Sequence, residues 1–196
     1  MLTLTAQLVG IAAFFVVTVV LGIAIRRDPT KDAAQRLSRI SHTFFWLSLV
    51  PLYAGVIIPG LTHFDELLGI SALPFPIARW ILGVPMALAG LFYSVASMRA
   101  LKNLGSGSMA FKLTKMVVAK DVYERVRNPM SLGLYLQFTA VSLLAGSTTL
   151  LLVVVLYTAA HAFNLRFFEE RELSARYGAS YDEYRARVPF LIPRFG

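Results

Sequence analysis

Two clusters of charged residues have the types and spacing to form a binding site. Arg166, Glu169 and Glu170 are three and four residues apart, which places them on one face of a helix. The second cluster, residues 120–133, combines two arginines with an Asn-Pro pair and a glycine. Two interpretations remain open at this point: a functional site, or a salt bridge at a helix end with Arg127 as a further partner.

Two more polar residues precede the first cluster in the same apolar run. His161 and Asn164 lie about one helical turn before Arg166 and point to roughly the same side. Polar residues inside an apolar segment are a functional-site hypothesis by default, so both are candidate substrate contacts. For His161, a hydrogen-bonded position within a helix bundle fits the sequence equally well.

Hydrolytic and metal chemistry have little support. The chain has no cysteine, which removes thiolate nucleophiles and cysteine-ligated metals. It has neither an HExxH nor a GxSxG motif. The Gly-Ser-Gly-Ser stretch at 105–108 lacks the lysine of a phosphate-binding loop and is predicted to be a flexible connection. We therefore expect no metal at the site.

The composition indicates a membrane protein. Hydrophobic residues make up 57% of the 196 residues and charged residues 15%, with a mean hydropathy of +0.64, whereas soluble domains carry about 25% charged residues. A spanning helix needs roughly 20 apolar residues. We predict one all-α integral-membrane domain over residues 1–196, with a first run too long for a signal peptide.

The prediction of an all-α membrane domain rests on five apolar segments. They are residues 3–25, 40–61, 77–98, 129–146 and 148–168. Pro51 and Pro59 should kink the second segment. The last two are separated by one or two residues and should form a helical hairpin. Residues 1–98 would hold three spans, and residues 99–196 a long loop, the hairpin and an amphipathic C-terminal helix broken at Gly178.

The distribution of positive charge predicts the orientation. The loops 26–39 and 99–128, together with the C-terminal region, hold 18 of the 19 Lys and Arg residues. Because positive loops stay in the cytoplasm, we expect the N-terminus outside, the C-terminus inside and both polar clusters on the cytoplasmic face. This also explains the net charge of +8 without nucleic acid as a partner.

Two separated motifs resemble a known family. The first reads Tyr123-x-x-Val126-Arg127-Asn128-Pro129-Met130-x-Leu132-Gly133. The second reads Glu169-Glu170-x-x-Leu173-x-x-x-Tyr177-Gly178-x-x-Tyr181-x-x-Tyr184-x-x-x-Val188-Pro189-x-x-Ile192-Pro193. Together with the hairpin between them, they resemble the isoprenylcysteine carboxyl methyltransferase and phospholipid methyltransferase family over roughly residues 100–196.

The resemblance implies an integral-membrane, all-helical methyltransferase that binds S-adenosylmethionine at the cytoplasmic ends of the last helices, without a Rossmann domain. The cofactor residues it implies are Tyr123, Arg127, Asn128, Pro129, Gly133, Glu169 and Glu170, with Arg166 and Glu170 as candidate catalytic residues. The chemistry agrees, since a glutamate suits the cofactor's ammonium group and an arginine its carboxylate. Ser131 stands where the family usually has a tyrosine.

Two classes of function follow. The first is methyl transfer to a lipophilic substrate from the inner leaflet: a phospholipid amine, a prenylcysteine-like carboxylate, or a small hydrophobic thiol. The second is a non-catalytic scaffold or lipid-binding protein that keeps the fold. A transporter fits less well, because the chain lacks the paired halves of such folds. The expected location is a membrane crossed several times, the cell membrane in a prokaryote.

Overall fold

The structure, a computed structural model, describes residues 1–57, 60–104 and 116–194. Every regular element in these residues is helical, in agreement with the all-α prediction. Pro59 and the 105–108 stretch lie outside the described residues. The elements in chain order are α1 Leu2–Arg27, α2 Lys31–Ile57, α3 His63–Leu68, α4 Pro76–Asn103, α5 Val122–Arg125, α6 Pro129–Ala145, α7 Thr148–Asn164, a π-helical turn Leu165–Glu169, α8 Glu170–Tyr177 and α9 Ala179–Arg187.

Three helices are long and apolar enough to cross a membrane: α1, α4, and the continuous helix of α7, the π turn and α8, Thr148–Tyr177. Helix α6 is apolar but has 17 residues. Helix α2 has 27 residues and begins within the positively charged stretch that precedes the second apolar segment. No proline or glycine interrupts residues 31–50, so the surface part and the apolar part form one helix.

Two close helix contacts organise the bundle. Helix α4 packs along α6, and α1 packs against α2 and α7. At the first contact, a Cβ on Gly133 would lie 2.8 Å from the carbonyl oxygen of Gly90. Any side chain at either glycine would push the helices apart, since small residues are what allow backbones to approach closely in membranes. This contact sets the position of α6 and of the loop before it.

The end of the bundle opposite the charged clusters is held by a buried carboxylate. Asp65 is 3% exposed and accepts hydrogen bonds from the backbone N–H groups of Thr148 at 3.1 Å and Thr149 at 2.7 Å. The Ser147 side chain caps the same helix through the N–H of Leu150. These groups satisfy donors that a helix start leaves unpaired, and they fix the short connection between α6 and α7.

The continuous helix that begins with α7, Thr148–Tyr177, extends beyond the end of the apolar run. The sequence predicted an end near residue 168, but the π turn continues the helix into α8. The chain leaves the helix at Gly178, whose φ of 57° lies in the left-handed region, and α9 follows. The expected break at Gly178 is therefore observed, and Glu169 and Glu170 lie inside a continuous helix.

Candidate functional site

The two charged clusters meet in an ion pair. Nη2 of Arg127 lies 3.1 Å from Oε1 of Glu170, and the two side chains are 6% and 10% exposed. Arg166 lies on the other side of the same carboxylate, with Nη1 3.8 Å from Oε2. Arg127 and Glu170, which are 43 positions apart in the chain, are therefore in direct contact.

The C-terminal segment holds Arg127 in place. The backbone N–H of Arg127 donates to the carbonyl of Pro189 at 2.9 Å, and the N–H of Arg194 donates to the carbonyl of Arg125 at 3.1 Å. The side-chain amide of Asn128 donates to the carbonyl of Phe190 at 3.2 Å. Pro129 then starts α6, where its missing N–H leaves no bond unmade. Residues 189–194 thus fix the loop that carries the arginine.

A cavity of about 460 Å³ opens beside this loop. Its outer, polar end is marked by Glu172, which hydrogen bonds to Ser38 of α2. Its inner end is aromatic: Tyr53, four helical turns further along α2, packs against Phe138 with ring centroids 4.9 Å apart. Candidate residues that line the cavity are Tyr123, Arg127, Asn128, Pro129, His161, Asn164 and Glu169.

Arg127 reaches the cavity with unpaired hydrogen-bond donors. Within the described residues, its Nε and Nη1 atoms are buried and have no hydrogen-bond partner. Buried donors without a partner are rare and unfavourable in native structures. Glu170 engages only the Nη2 side of the guanidinium. Arg127 thus lines the cavity and has two donor nitrogens without a partner among the described residues.

Glu169 supplies the opposite charge. Its carboxylate lines the cavity and lies in the field of Glu172, Glu170 and Arg176. It forms no salt bridge with the cations that the structure describes. A carboxylate and an arginine that line the same cavity can bind a ligand that carries both a cation and an anion.

Sequence reasoning missed a second ion pair at the polar end. Nη1 of Arg176 lies 2.8 Å from Oε1 of Glu172, with the side chains 6% and 2% exposed. Both residues line the cavity. The signal was present in the spacing: Glu169, Glu172 and Arg176 are three and four residues apart, so they share a helical face. Sequence reasoning selected the adjacent residues Glu169 and Glu170 instead, which point to different faces of the helix.

Tyr123 contributes a neutral hydroxyl. Burial, and next the nearby Glu169 carboxylate, raise the pKa of the Tyr123 phenol, which also hydrogen bonds to Ser97. The phenol therefore stays protonated near neutral pH. The hydroxyl of Tyr184 donates to the backbone carbonyl of Tyr123 at 2.8 Å, so α9 holds this residue as residues 189–194 hold Arg127.

The two deeper candidates have different surroundings. Asn164 is 3% exposed, and its amide donates to the hydroxyls of Thr18 at 2.9 Å and Ser41 at 3.2 Å. It joins α1, α2 and α7, as a bundle residue does. His161 lines the cavity, with Nδ1 2.9 Å from the hydroxyl of Tyr135.

Three predicted site residues do not line the cavity: Gly133, Arg166 and Glu170. Gly133 lies at the contact with α4. The Arg166 side chain is 56% exposed and stacks over Phe190 at 4.1 Å. Glu170 faces Arg127 rather than the cavity. For these three, a role in cofactor contact or catalysis rests on the resemblance alone.

The described residues form only helices, three of which are long and apolar enough to cross a membrane, around a cavity that is charged at one end, which is the architecture of a helical integral membrane protein. The family is shown by comparison with family models: residues 78–180 match the phospholipid methyltransferase family, which is more than half of the chain. The chain belongs to that family.

One curated relative is methanethiol S-methyltransferase 2 of Bradyrhizobium diazoefficiens, 40% identical over 73 residues. The aligned part covers 37% of this chain and 27% of the relative, so the match spans about a quarter of the relative's length. No solved structure matches the chain.

Proposed function

We propose that this protein is an S-adenosylmethionine-dependent methyltransferase that acts on a lipophilic acceptor entering the cavity from the membrane. The observation that carries the proposal is the Arg127 guanidinium, with two buried unpaired donors at a cavity that Glu169 also lines. Family membership supports methyl transfer as the reaction. The free donors support a zwitterionic ligand at this end of the cavity.

The residues present fit this cofactor. A cavity of about 460 Å³ lies within the range of roughly 300–1,000 Å³ of small-molecule sites. Arg127 would bind the carboxylate through its free donors, and Glu169 would bind the ammonium group. The Tyr123, Tyr177 and Tyr181 rings line the same cavity and suit the cationic centre. When bound, S-adenosylmethionine supplies an electrophilic methyl group on a sulfonium.

The protein's contribution would be alignment and exclusion of water. Methyl transfer is an in-line displacement, for which holding two reactants in a productive geometry supplies most of the rate enhancement, about 7–11 kcal/mol in favourable cases. Arg127 is fixed by its backbone hydrogen bond and by Glu170. Glu170 is then a positioning residue that orients Arg127, and Arg166 supports it from the surface.

Two acceptor classes are each supported by a comparison. The family description favours a phospholipid amine. The activity named for the relative, methanethiol S-methylation, favours a small thiol. A prenylcysteine-like carboxylate is the third acceptor that the resemblance allows.

We further propose that the chain is one domain that crosses the membrane five times, with α2 and α6 added to the three long apolar helices. The N-terminus would lie outside and the C-terminus inside. The support is the distribution of positive charge, since 18 of 19 Lys and Arg residues fall in regions on one side. The site would then open at the cytoplasmic surface of the cell membrane.

Calorimetric titration of the purified protein with S-adenosylmethionine tests the enzyme against the non-catalytic alternative. Binding should be saturable, and competition by S-adenosylhomocysteine should reduce it. Feeding cells labelled methionine, with and without the gene, and analysing both extracted lipids and volatile thioethers should then identify the acceptor. No cofactor binding in detergent that preserves the helical content would leave a scaffold or lipid-binding role.

A further inference from the structure

His161 presents one ring nitrogen to the cavity while the other is held. Nδ1 lies 2.9 Å from the hydroxyl of Tyr135 on α6, and both residues are buried. The bond fixes the ring orientation and, when Nδ1 is the donor, leaves Nε2 with a free lone pair. Because His161 lines the cavity, Nε2 is the nitrogen available to a bound molecule.

The surroundings of this imidazole are aromatic. The ring of Phe45 lies 4.9 Å away, the ring of Tyr157 stacks at 5.8 Å and the ring of Phe14 lies at 6.1 Å. Three titratable groups lie beside it: the phenols of Tyr135 and Tyr157 and the imidazole of His42. Nδ1 of His42 is 3.3 Å from the carbonyl oxygen of Ser38.

His161 is separated from the charged end of the cavity. It lies eight residues before Glu169, about 12 Å along the helix at 1.5 Å per residue. The two described arginines of the cavity, Arg127 and Arg176, line its charged end. An acceptor beside His161 is therefore surrounded by rings, with the cofactor groups proposed above on its other side.

This arrangement discriminates among the acceptor classes. A phospholipid headgroup carries a phosphate and a prenylcysteine a carboxylate, and each anion needs a cation or several donors when it leaves water. The aromatic surroundings of His161 supply neither. A small thiol enters neutral, packs well against aromatic rings, and must lose its proton, because the thiolate and not the thiol is the nucleophile.

We infer that His161 is the proton acceptor for a small neutral thiol, with Tyr135 as the positioning residue that holds its ring; this rests on the proposed function. The thiol proton passes to Nε2 as the sulfur lone pair forms the new S–C bond. The donor's own C–S bond breaks, and its electron pair stays on the donor sulfur. The positive charge of the sulfonium is thus replaced by that of the imidazolium, which then releases its proton to water.

The test compares two thiols of similar size, ethanethiol and 2,2,2-trifluoroethanethiol, the second being more acidic. His161→Gln should lower kcat on ethanethiol by about 10²- to 10⁴-fold. The loss on the fluorinated thiol should be under about tenfold, because a more acidic thiol depends less on a base to lose its proton. Cofactor affinity should be unchanged. An equal loss on both thiols, or a loss below threefold on ethanethiol, would overturn the inference.

Tyr135→Phe and Tyr157→Phe are a matched pair of variants that test the inference even if the histidine variant does not fold. Each removes one hydroxyl from a ring beside His161, but only Tyr135 hydrogen bonds to it, and the Tyr157 hydroxyl has no partner among the described residues. Tyr135→Phe should slow ethanethiol methylation about five- to tenfold, the size of one lost hydrogen bond, and Tyr157→Phe less than twofold. Equal effects of the two changes would contradict a positioning role.

A readout independent of turnover is the tautomer of His161, observed by NMR of ¹⁵N-histidine protein without cofactor. We expect the proton on Nδ1 in the wild type and in Tyr157→Phe, and a shift of the tautomer population in Tyr135→Phe. A proton on Nε2 in the wild type would exclude the base role.

The outcomes also separate this inference from the proposed function. Wild-type protein that methylates phosphatidylethanolamine vesicles but no thiol would overturn the inference and leave the proposed function intact. Wild-type protein that binds no cofactor and methylates neither substrate would overturn both.

Discussion

The Arg127 guanidinium pairs with the Glu170 carboxylate, 3.1 Å away on its Nη2 side, and its two other nitrogens have no hydrogen-bond partner among the described residues. Arg127 also lines the cavity. One side chain thus joins the ion pair that positions it to the site where a ligand would bind. Arginine suits this double role because its donors form a rigid planar fork. The relationship makes separate predictions for the two residues.

Arg127→Lys should weaken S-adenosylmethionine binding by about 10- to 100-fold, since a lysine cannot pair with Glu170 and also present two donors to a carboxylate. Calorimetry gives the affinity directly. Arg187→Lys, at an exposed position on α9, is the matched control and should bind as the wild type does. Equal affinities for the two variants would remove Arg127 from the cofactor site.

Glu170→Gln should raise the cofactor Kd by roughly tenfold and leave kcat at saturating cofactor within about threefold, because a positioning contact to a charged group contributes about 1.5–3 kcal/mol. Glu183→Gln, at an exposed position, is the control. Glu172 cannot serve as one, because it is buried and lines the cavity. A large loss of kcat with unchanged affinity would instead support a catalytic role for Glu170.

Glu172→Ala should lower the free energy of unfolding by about 3–5 kcal/mol, since it removes one partner of a buried ion pair. The double replacement Glu172→Ala with Arg176→Met should recover part of that loss, because it removes the second charge of the pair as well. Thermal unfolding followed by circular dichroism in detergent measures both. A double variant less stable than the single one would indicate that other contacts of Arg176 dominate.

Asp65→Ala should destabilise the protein by about 1–2 kcal/mol through loss of the cap on α7. Its neighbour Glu66, which is exposed, offers the control Glu66→Ala. Because Asp65 lies at the opposite end of the bundle, cofactor affinity should be unchanged in both variants. A changed affinity in Asp65→Ala would indicate that the end of α7 and the charged site are coupled.

The helices were predictable where local rules decide them. Apolar runs of membrane length, Pro129 at a helix start and Gly178 at a break are properties of neighbouring residues, and the structure has each of them. The end of the continuous helix Thr148–Tyr177 was not predictable from hydropathy. Its last turns carry charged residues that a lipid environment disfavours. The ion pairs of Glu170 with Arg127 and of Glu172 with Arg176 stabilise the helix there.

The candidate site likewise has residues that the sequence could predict and residues that it could not. Spacing and resemblance selected Tyr123, Arg127, Asn128, Pro129 and Glu169, all of which line the cavity. Spacing and resemblance could not show which of Glu169 and Glu170 faces the cavity. Adjacent residues on a helix point about 100° apart, and only the packing of the helix decides which one faces inward. The spacing of three and four residues placed Glu172 and Arg176 on the face of Glu169, but only the packing of the helix decides that this face lines the cavity.

The sequence by itself determined an all-helical chain of membrane composition, with charged residues collected at the ends of its last apolar segments. These properties depend on side-chain hydropathy and on spacing within one helix. The tertiary structure alone decided that Glu170 holds Arg127 while Glu169 faces the cavity, and that Tyr135 holds His161. Those relationships join residues on different helices, so they are set by the close packing of α4 on α6 and of α1 on α2 and α7, which no single segment specifies.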